Sequence, residues 1–291
     1  MLKHALFLWR NENMITSTSN NKVKRLVTLG NKAKARREEK VFIVEGIKMF
    51  MEAPLKWISE VYVSESFLDK RGLDKDGRAK SDSADELLIE RLNYRGFEVV
   101  SDEVFSKISD TMTPQGILSV LKQPQYLLDN IIKESLKQDN ALFIVLEDLQ
   151  DPGNLGTILR AGEGAGISGV IMTKQTADIF NPKVIRSTMG SVYRVPFVIV
   201  DDIHESIRLL KESNISVYAA HLDESVDYDK ADYTKPTAFL IGNEGNGLKR
   251  ETADLASGYI KIPMLGQVES LNAAVATTVL MYEAARQRRK A

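Results

Sequence analysis

A glycine-rich stretch, "LIGNEGNGLKRE", places three glycines after an apolar run, as in a strand that feeds a ligand-binding loop. The glycine order is G-x-x-G-x-G, whereas the dinucleotide fingerprint is G-x-G-x-x-G and a Walker loop ends in G-K-[ST]. A carboxylate, Glu244, also lies among the amides of this loop, where it would repel a phosphate group. The stretch therefore predicts a ligand that is neutral or cationic where it meets the loop. The alternative is a tight turn with a solvated glutamate.

Two further stretches combine turn residues with groups that could do chemistry. In "EDLQDPGNLGTILRAGEGAG", Asn154 is expected to cap the helix that follows, and Arg160 lies further along that helix. In "IPMLGQVESLNAAVA", Ser270 or Asn272 is expected to begin the last helix. The plain alternatives are a capped helix with one surface arginine and a capped, well-packed terminal helix.

All three stretches follow predicted strands in the second half of the chain. Apolar runs predict the strands "ALFIVLED", "GVIMT", "VPFVIV", "SVYAAHL", "AFLIG" and "YIKIP", and amphipathic segments between them predict helices. Apolar strands that alternate with helices indicate a parallel sheet covered on both faces. Open sheets of this class bind ligands at the carboxyl ends of their strands, where the three stretches are expected to meet.

The first half of the chain also alternates helices with strands such as "VFIVEG" and "QGILSVLKQP". It opens on a basic, helix-like segment, residues 22–40, which holds eight Lys/Arg against two Glu, a net charge of +6, with Gly30 as a predicted break. Residues 71–86 are polar and predict a loop or insertion. The predicted organisation is a flexible N-terminal extension at 1–20, a first domain at 21–124, a linker helix at 125–139 and a second domain at 140–291.

Composition narrows the classes of function. The formal net charge of the 291 residues is -1, so any affinity for nucleic acid must be local. The chain has no cysteine, which excludes disulfides, thiolate metal sites and a cysteine nucleophile, and its three scattered histidines suggest no metal site. No apolar stretch reaches the length of a membrane span, and a cytoplasmic protein is expected. Because Met14 offers a second start, residues 1–13 are expected to be an upstream extension outside the fold.

Taken in order, the three stretches resemble the signature motifs of the SpoU (TrmH-type) RNA ribose 2′-O-methyltransferases, a family of the SPOUT superfamily. The resemblance covers roughly residues 141–288 and rests on "DPGNLGTILRAGEGAG", "LIGNEGNGL" and "IPMLGQVESLNAAVA". In the first half, "KARREEKVFIVEG" and "TPQGILSV" are similar to the RNA-binding substrate domain of that family, which resembles a small ribosomal-protein fold.

The resemblance implies an α/β fold, in which a C-terminal SPOUT domain with a mainly parallel sheet and a trefoil knot follows a smaller N-terminal α/β ribosomal-protein-like domain. Threaded chains are rare, so the knot is expected from the resemblance alone. The resemblance also implies a homodimer through the SPOUT domain, with S-adenosylmethionine bound in the knot. It places this cofactor on the backbones of Gly242, Ile262 and Leu271, with Met264 and Gly266 as further binding candidates.

The implied reaction is the attack of a ribose 2′-hydroxyl on the sulfonium methyl group, which depends mainly on positioning. Arg160 matches the essential arginine of the family and is expected to clamp phosphate and stabilise the oxyanion, because a guanidinium with a pKa above about 12 is a poor base. A base role is the alternative, and in this family the arginine can reach across the dimer. Asn154, Ser270 and Asn272 are expected to orient it, and Glu244 to stabilise the cofactor's charge or orient partner groups.

The basic segment then predicts phosphate contacts, and its candidate RNA-binding residues are Lys24, Arg25, Lys34, Arg36 and Arg37. The alternative is a solvated helix face. The predicted substrate is ribosomal RNA of the 23S type. The alternatives are a tRNA 2′-O-methyltransferase, a non-catalytic RNA-binding protein on a SPOUT scaffold, and a nucleotide-dependent oxidoreductase, against which the glycine order argues.

Overall fold

The computed structural model describes residues 14–80, 85–138, 140–221 and 225–289. The chain divides into two units, one formed by residues 1–124 with 180–182 and the other by residues 125–179 with 183–291. Within the described ranges, every helix is either too short or too polar to cross a membrane.

The first unit is built on a four-stranded sheet. Its described part contains the strands β1 (Val41–Glu45), β2 (Ile58–Ser64), β3 (Glu98–Val100) and β4 (Ile117–Lys122), and the helices α1 (Asn21–Asn31), α2 (Ala33–Glu39), α3 (Ile47–Glu52), α4 (Glu65–Lys70), α5 (Glu86–Arg95) and α6 (Asp102–Ile108). The strand order is β1-β4-β2-β3, in which β4 runs antiparallel to β1 and β2, whereas β3 runs parallel to β2. The strands predicted in the first half are confirmed.

The predicted flexible extension at residues 1–20 is wrong for its second part. The N–H of Ile15 donates to the carbonyl of Val99 at 2.9 Å, and the N–H of Ser101 donates to the carbonyl of Ile15 at 3.0 Å. This pairing forms because β3 is an edge strand, whose outer backbone groups need partners. The side chain of Asn20 then caps α1. Residues 1–13, expected to be an upstream extension, lie outside the described residues.

The first helix is amphipathic, and this decides which of its charges reach solvent. Val23, Leu26 and Leu29 recur every three residues and are buried in the core of the first unit. They pack with Val104 and Phe105 of α6 in one cluster of buried residues. The two lysines of α1, Lys22 and Lys24, flank Val23 and remain exposed.

The second unit is built on a seven-stranded sheet. Its described part contains the strands β5 (Leu142–Leu146), β6 (Gly169–Thr173), β7 (Phe197–Val200), β8 (Ser216–Ala220), β9 (Val226–Asp227), β10 (Thr237–Ile241) and β11 (Gly258–Lys261), and the helices α7 (Leu128–Ser135), α8 (Pro152–Ala165), α9 (Pro182–Thr188), α10 (Ile203–Glu212), α11 (Arg250–Ala253) and α12 (Ala273–Arg288). The strand order is β7-β6-β5-β10-β8-β11-β9, and every neighbouring pair is parallel. The predicted parallel α/β sheet is confirmed.

The segment predicted as a linker, residues 125–139, contributes to this second unit. It contains α7, and Ile131 and Ile132 of that helix are buried in the same core cluster as Phe143 of β5. The prediction is corrected here because the apolar side chains of α7 bury a face against the sheet, which a free connection between domains would leave in water.

Helix α8 carries glycines at positions where a side chain would collide with neighbouring segments of the second unit. A Cβ atom at Gly162 would lie 2.4 Å from Ile167 Cδ1 and 3.4 Å from Met281 Sδ of α12. A Cβ atom at Gly156 would lie 2.9 Å from the carbonyl oxygen of Val184 in α9. The glycines of the "NLGTILRAGEGAG" stretch therefore serve the packing of α8 against its neighbours.

Candidate functional site

Three loops meet at the carboxyl edge of the seven-stranded sheet. They follow β5, β10 and β11, and they carry the three stretches singled out from the sequence. Leu146 of β5 pairs with Ile241 of β10, so these two loops leave the sheet side by side. The third loop leaves β11 one strand beyond β8, at nearly the same height. The parallel topology therefore gathers segments that are about a hundred residues apart in sequence.

The loop after β10, residues 242–249 and here named the glycine loop, closes on itself. The N–H of Asn243 donates to the carbonyl of Gly247 at 3.0 Å, and the reverse bond measures 2.9 Å. The side-chain oxygen of Asn243 accepts the N–H groups of Gly245 and Asn246 at 2.9 and 3.1 Å. A Cβ atom at Gly242 would lie 2.1 Å from the carbonyl carbon of Gly247, whose own φ is 69°. These two glycines are therefore required by the closure of the loop itself.

Glu244 projects from the glycine loop onto the start of α8. Its Oε1 accepts the backbone N–H of Asp151 and the side-chain amide of Asn154, each at 2.9 Å, and its Oε2 accepts the N–H of Gln150 at 2.9 Å. Burial alone would raise the pKa of Glu244, but the donors from Gln150, Asn154 and Asp151 outweigh it and lower the pKa below its usual value. The carboxylate also lies at the positive end of the α8 dipole. Glu244 thus has a definite structural partner, the N-terminus of α8.

Asn154 connects this carboxylate to the third loop. Its side-chain oxygen accepts the amide of Asn272 at 2.9 Å, and the oxygen of Asn272 accepts the N–H groups of Ala274 and Val275 at 2.9 and 3.2 Å. Asn272 is therefore the N-cap of α12, as one of the two sequence alternatives predicted. We name the chain of hydrogen bonds through Glu244, Asn154 and Asn272 the three-loop network, because each member lies in, or at the end of, a different one of the three loops.

The predicted cap of α8 is wrong. The N-cap is Asp151, whose carboxylate accepts the N–H of Asn154 at 2.8 Å, and Pro152 occupies the first helical position. Asn154 lies in the first turn and is 9% exposed. Because Asp151 satisfies the backbone at this helix end, the side chain of Asn154 is free to bridge Glu244 and Asn272.

Arg160 and Ser270 are not part of this network. Arg160 follows Asn154 by six residues, which is about 9 Å along the helix axis. Its side chain is exposed and forms no hydrogen bond or ion pair with the part of the chain that the structure describes. Ser270 is exposed on the third loop and likewise has no bonded partner among the described residues.

The candidate cofactor-binding positions have polar backbone groups without partners. Gly242 and every residue from 262 to 271 make no backbone hydrogen bond to the described part of the chain. Ile262, Met264 and Leu271 are half-buried, whereas Gly266 is exposed. Such backbone N–H and C=O groups can bind a ligand that has both donors and acceptors. Gly242 lies close to the three-loop network, because it precedes Glu244 by two residues in the glycine loop.

A second group of side chains, which sequence reasoning missed, holds the far end of the glycine loop. Glu147 is 2% exposed and accepts the N–H of Lys249 at 2.9 Å and the hydroxyl of Thr252 at 2.6 Å. Asp148, with a φ of 56°, accepts the ammonium of Lys249 at 2.9 Å and the hydroxyl of Thr173 at 2.8 Å. The sequence did contain a signal for this group of side chains, because two carboxylates directly follow a buried strand at the edge of the sheet where ligands bind.

In the first unit, Arg36 has a structural role, which corrects its assignment as an RNA contact. It is 2% exposed, and its Nη1 donates to the carbonyls of Leu29 and Gly30 at 2.6 and 3.0 Å. These bonds close the C-terminus of α1, whose last carbonyls lack partners within the helix. The break between α1 and α2 falls at Lys32, which has extended backbone, and α1 continues through Gly30.

Arg25 is also engaged within the first unit. Its guanidinium donates to Glu39 at 2.7 Å and to Glu60 at 2.9 Å, so both neighbouring carboxylates neutralise it. The remaining three predicted RNA contacts are exposed. Their side chains point into solvent with at most a loose ion pair, which Lys34 makes to Glu38 at 3.8 Å. These residues are Lys24, Lys34 and Arg37.

Comparison with protein families agrees with this geometry. The SpoU rRNA Methylase family matches residues 141–282, which contain the three-loop network. The MRM3-like substrate binding domain matches residues 20–119, which form most of the first unit. Within the described residues, no group of three or more His, Asp and Glu side chains could hold a metal ion.

Relatives extend the similarity to nearly the whole chain. An uncharacterized tRNA/rRNA methyltransferase of Synechocystis is 31% identical over 275 residues, which are 94% of this chain and 93% of that protein. The 23S rRNA (guanosine(2553)-2′-O)-methyltransferase RlmP of Bacillus subtilis is 33% identical over 63% of this chain and 70% of its own length. The AdoMet-bound rRNA methyltransferase of Sinorhizobium meliloti superposes with a TM-score of 0.80 at 32% identity, over 94% of this chain and 97% of that structure.

Proposed function

The chain belongs to the SpoU rRNA methylase family, and from this premise we propose that it transfers a methyl group from S-adenosylmethionine to a ribose 2′-hydroxyl of ribosomal RNA. It is an RNA methyltransferase of the SpoU class. The observation that carries the finer proposal is the three-loop network, in which Glu244, Asn154 and Asn272 join the three family motifs by hydrogen bonds of 2.9 Å. The Bacillus relative that acts on the 2′-oxygen of a 23S guanosine supports the choice of ribose and of ribosomal RNA.

S-adenosylmethionine fits the free backbone groups around the network, and the Sinorhizobium structure is described as bound to AdoMet. When bound, it supplies an electrophilic methyl group on a cationic sulfonium. Gly242, Ile262 and Leu271 would hold it through their backbones, and Met264 and Gly266 would complete the pocket. The glycine loop does not favour a phosphate group. A phosphate would bind at the N-terminus of α8, but the carboxylate of Glu244 already occupies that position. The trefoil knot expected for this fold stays a prediction.

Arg160 is proposed to stabilise the developing oxyanion of the ribose, since it is a cation without a partner in the described chain. Its position on α8, away from the network of its own chain, supports a role in a second copy. Val275 and Tyr282 of α12 are 49% and 46% exposed, and such apolar side chains would be covered in a homodimer. Ser270, exposed on the third loop, is proposed to orient Arg160 and to shape the pocket.

RNA is proposed to contact the exposed cations of the first unit. Lys24, Lys34 and Arg37 present their charges to solvent, and their match to a substrate-binding domain supports this use. Contacts of this kind bind phosphates without reading sequence and weaken as salt is added. We propose that the target is ribosomal RNA of the 23S type. Transfer RNA is the second candidate, and mapping of 2′-O-methyl groups would distinguish the two.

The test is methylation of ribosomal RNA by Arg160→Ala, with Arg208→Ala as the control. Arg208 is an exposed arginine on α10 whose only described ion pair is to Glu205 in the same helix. We expect Arg160→Ala to bind S-adenosylmethionine normally in calorimetry and to lose at least a hundredfold in methyl transfer, as removal of a single oxyanion donor does. Near-normal transfer by this variant would refute its role. Mapping of 2′-O-methyl groups in RNA from cells with and without the gene identifies the nucleotide, and an unchanged map would refute the function.

A further inference from the structure

A polar cavity of about 340 Å³ opens beside the glycine loop, at the carboxyl edge of the parallel sheet. It is separate from the free backbone groups of residues 262–271, because none of them lines it. Its walls come from the loops after β5, β6 and β10, and the residues that matter here are Asp148, Gln150, Gln175, Asn243, Asn246 and Lys249. The volume lies at the lower end of the range found for small-molecule sites, which suits one planar group.

Three side-chain amides in this cavity have unused hydrogen-bonding atoms. Gln175 and Asn246 are exposed, and neither side chain bonds to anything in the described ranges. The Nε2 of Gln150 donates to the carbonyls of Asp148 and Gln175 at 3.1 and 2.6 Å, and these two bonds fix the orientation of the side chain. Its Oε1 has no hydrogen-bond partner within the described residues. Donors and acceptors therefore converge on one space, as the Watson–Crick edge of a base requires.

The charge of the walls disfavours a phosphate. Two carboxylates, Glu147 and Asp148, face one ammonium, that of Lys249, at 3.8 and 2.9 Å. Burial opposes ionisation of Asp148, but the bonds from Lys249 and Thr173 lower its pKa. The bond to Asp148 raises the pKa of Lys249, so Asp148 and Lys249 form a charged pair at neutral pH. A neutral ligand with polar edges meets no net repulsion here, whereas an anion would.

The cavity shares its walls with the three-loop network. Asn243 in the wall immediately precedes Glu244, and the N–H of Gln150 donates to Glu244 Oε2 at 2.9 Å. The carbonyl of Asp148 also accepts the side-chain amide of Asn243 at 2.9 Å, which ties both sides of the cavity together. The cavity therefore lies directly beside the network, within reach of a group attached to a ligand bound there.

We propose that this cavity receives the base of the nucleotide whose ribose is methylated, and that Gln150, Gln175 and Asn246 read its polar edge. The proposal rests on the proposed function, because it assigns the base specificity of the same reaction. Hydrogen bonding to the edges of an unstacked base is a usual part of sequence-specific RNA recognition, and side-chain amides can supply both the donors and the acceptors.

The experiment uses the full chain and RNA fragments that contain the nucleotide found by mapping, with A, C, G or U at that position. Gln175→Ala and Asn246→Ala, singly and together, are compared with Asn130→Ala, which removes an exposed amide from α7 outside the cavity. Each lost hydrogen bond is expected to lower kcat/KM on the natural base roughly threefold to tenfold, mainly through KM. The double variant should also lose most of the preference between the four bases, whereas Asn130→Ala should match the parent chain.

Thermal unfolding and S-adenosylmethionine binding are measured on every variant, and both should stay unchanged, because the removed side chains are exposed and unbonded. A parent chain that methylates all four fragments equally, or a double variant that keeps the full preference, would overturn the cavity assignment alone. Absence of 2′-O-methylation on every fragment would overturn the proposed function and the cavity assignment together.

Discussion

Replacing Glu244 with glutamine tests the idea that this carboxylate fastens the glycine loop to α8. Glutamine has the same shape but one acceptor oxygen and one NH₂ group. The carboxylate accepts N–H groups at both of its oxygens, from Gln150 on one side and from Asp151 and Asn154 on the other. In either orientation, the NH₂ of Glu244→Gln faces a donor, so at least one hydrogen bond is lost and one N–H group is left opposed.

The size of the effect follows from these contacts. A hydrogen bond to a charged group contributes about 1.5–3 kcal/mol when it is buried. Because Glu244 is partly exposed, water compensates for part of the lost hydrogen-bond energy, and the lower end of this range applies. We expect the free energy of local opening at the start of α8 to fall by about 1–2 kcal/mol, which is a factor of about 5–30.

The assay is amide hydrogen exchange of the segment that begins at Gln150, measured at pH 7 by mass spectrometry. Exchange in Glu244→Gln should be about 5–30 times faster there and unchanged in β1 of the first unit. The control is Glu90→Gln, which makes the same charge change at an exposed site on α5.

Acidity provides a second arm of the same test. Because the pKa of Glu244 is lowered in the folded chain, its stabilisation is complete above the usual glutamate value of about 4.3. It is lost as the pH falls through the folded-state pKa, so the difference between parent and variant should shrink below about pH 4. Equal exchange in parent and variant at pH 7, or a difference that persists undiminished under acid, would refute the reasoning.

Other substitutions test the remaining assignments. Gly242→Ala should open the glycine loop, because its Cβ would lie 2.1 Å from backbone; weak S-adenosylmethionine binding in calorimetry should follow, and normal binding would contradict the closure argument. Arg36→Met should lower the urea-unfolding free energy by about 1–3 kcal/mol, since two helix carbonyls lose their donor. Arg37→Gln should instead leave stability within about 0.5 kcal/mol and reduce the salt dependence of RNA binding by about one unit of slope. A stable Arg36→Met chain with weakened RNA binding would reverse these two roles.

Sequence reasoning identified most strands and most helices of both units, because apolar periodicity can be read from a single sequence. It missed α4 and α11, which span only six and four residues and therefore fewer than two turns each, and the ten-residue α5, which follows the polar segment predicted as a loop or insertion. It also treated residues 14–20 as free, because the backbone bonds of Ile15 to β3 carry no side-chain signal. The segment at 125–139 was wrongly predicted to be a linker for a related reason. The sequence shows that α7 has an apolar face, but it does not show that this face packs against the sheet of the second unit.

The sequence alone determined which residues are available for chemistry at the site. The order of the glycines, the acid at Glu244 and the amides at Asn154 and Asn272 excluded a phosphate loop and indicated the family. It could not say what Glu244 does, because its partners lie about ninety residues away at the start of α8.

Only the tertiary structure decided that question. The parallel register sets β5 beside β10, so the three loops meet and the side chains of Glu244, Asn154 and Asn272 bond to one another. The tertiary structure also gives Arg36 and Arg37 different environments, because Arg36 is buried against the end of α1 whereas Arg37 is exposed to solvent. Adjacent residues of one type acquire different roles because burial and hydrogen bonding depend on which face of a helix meets the core.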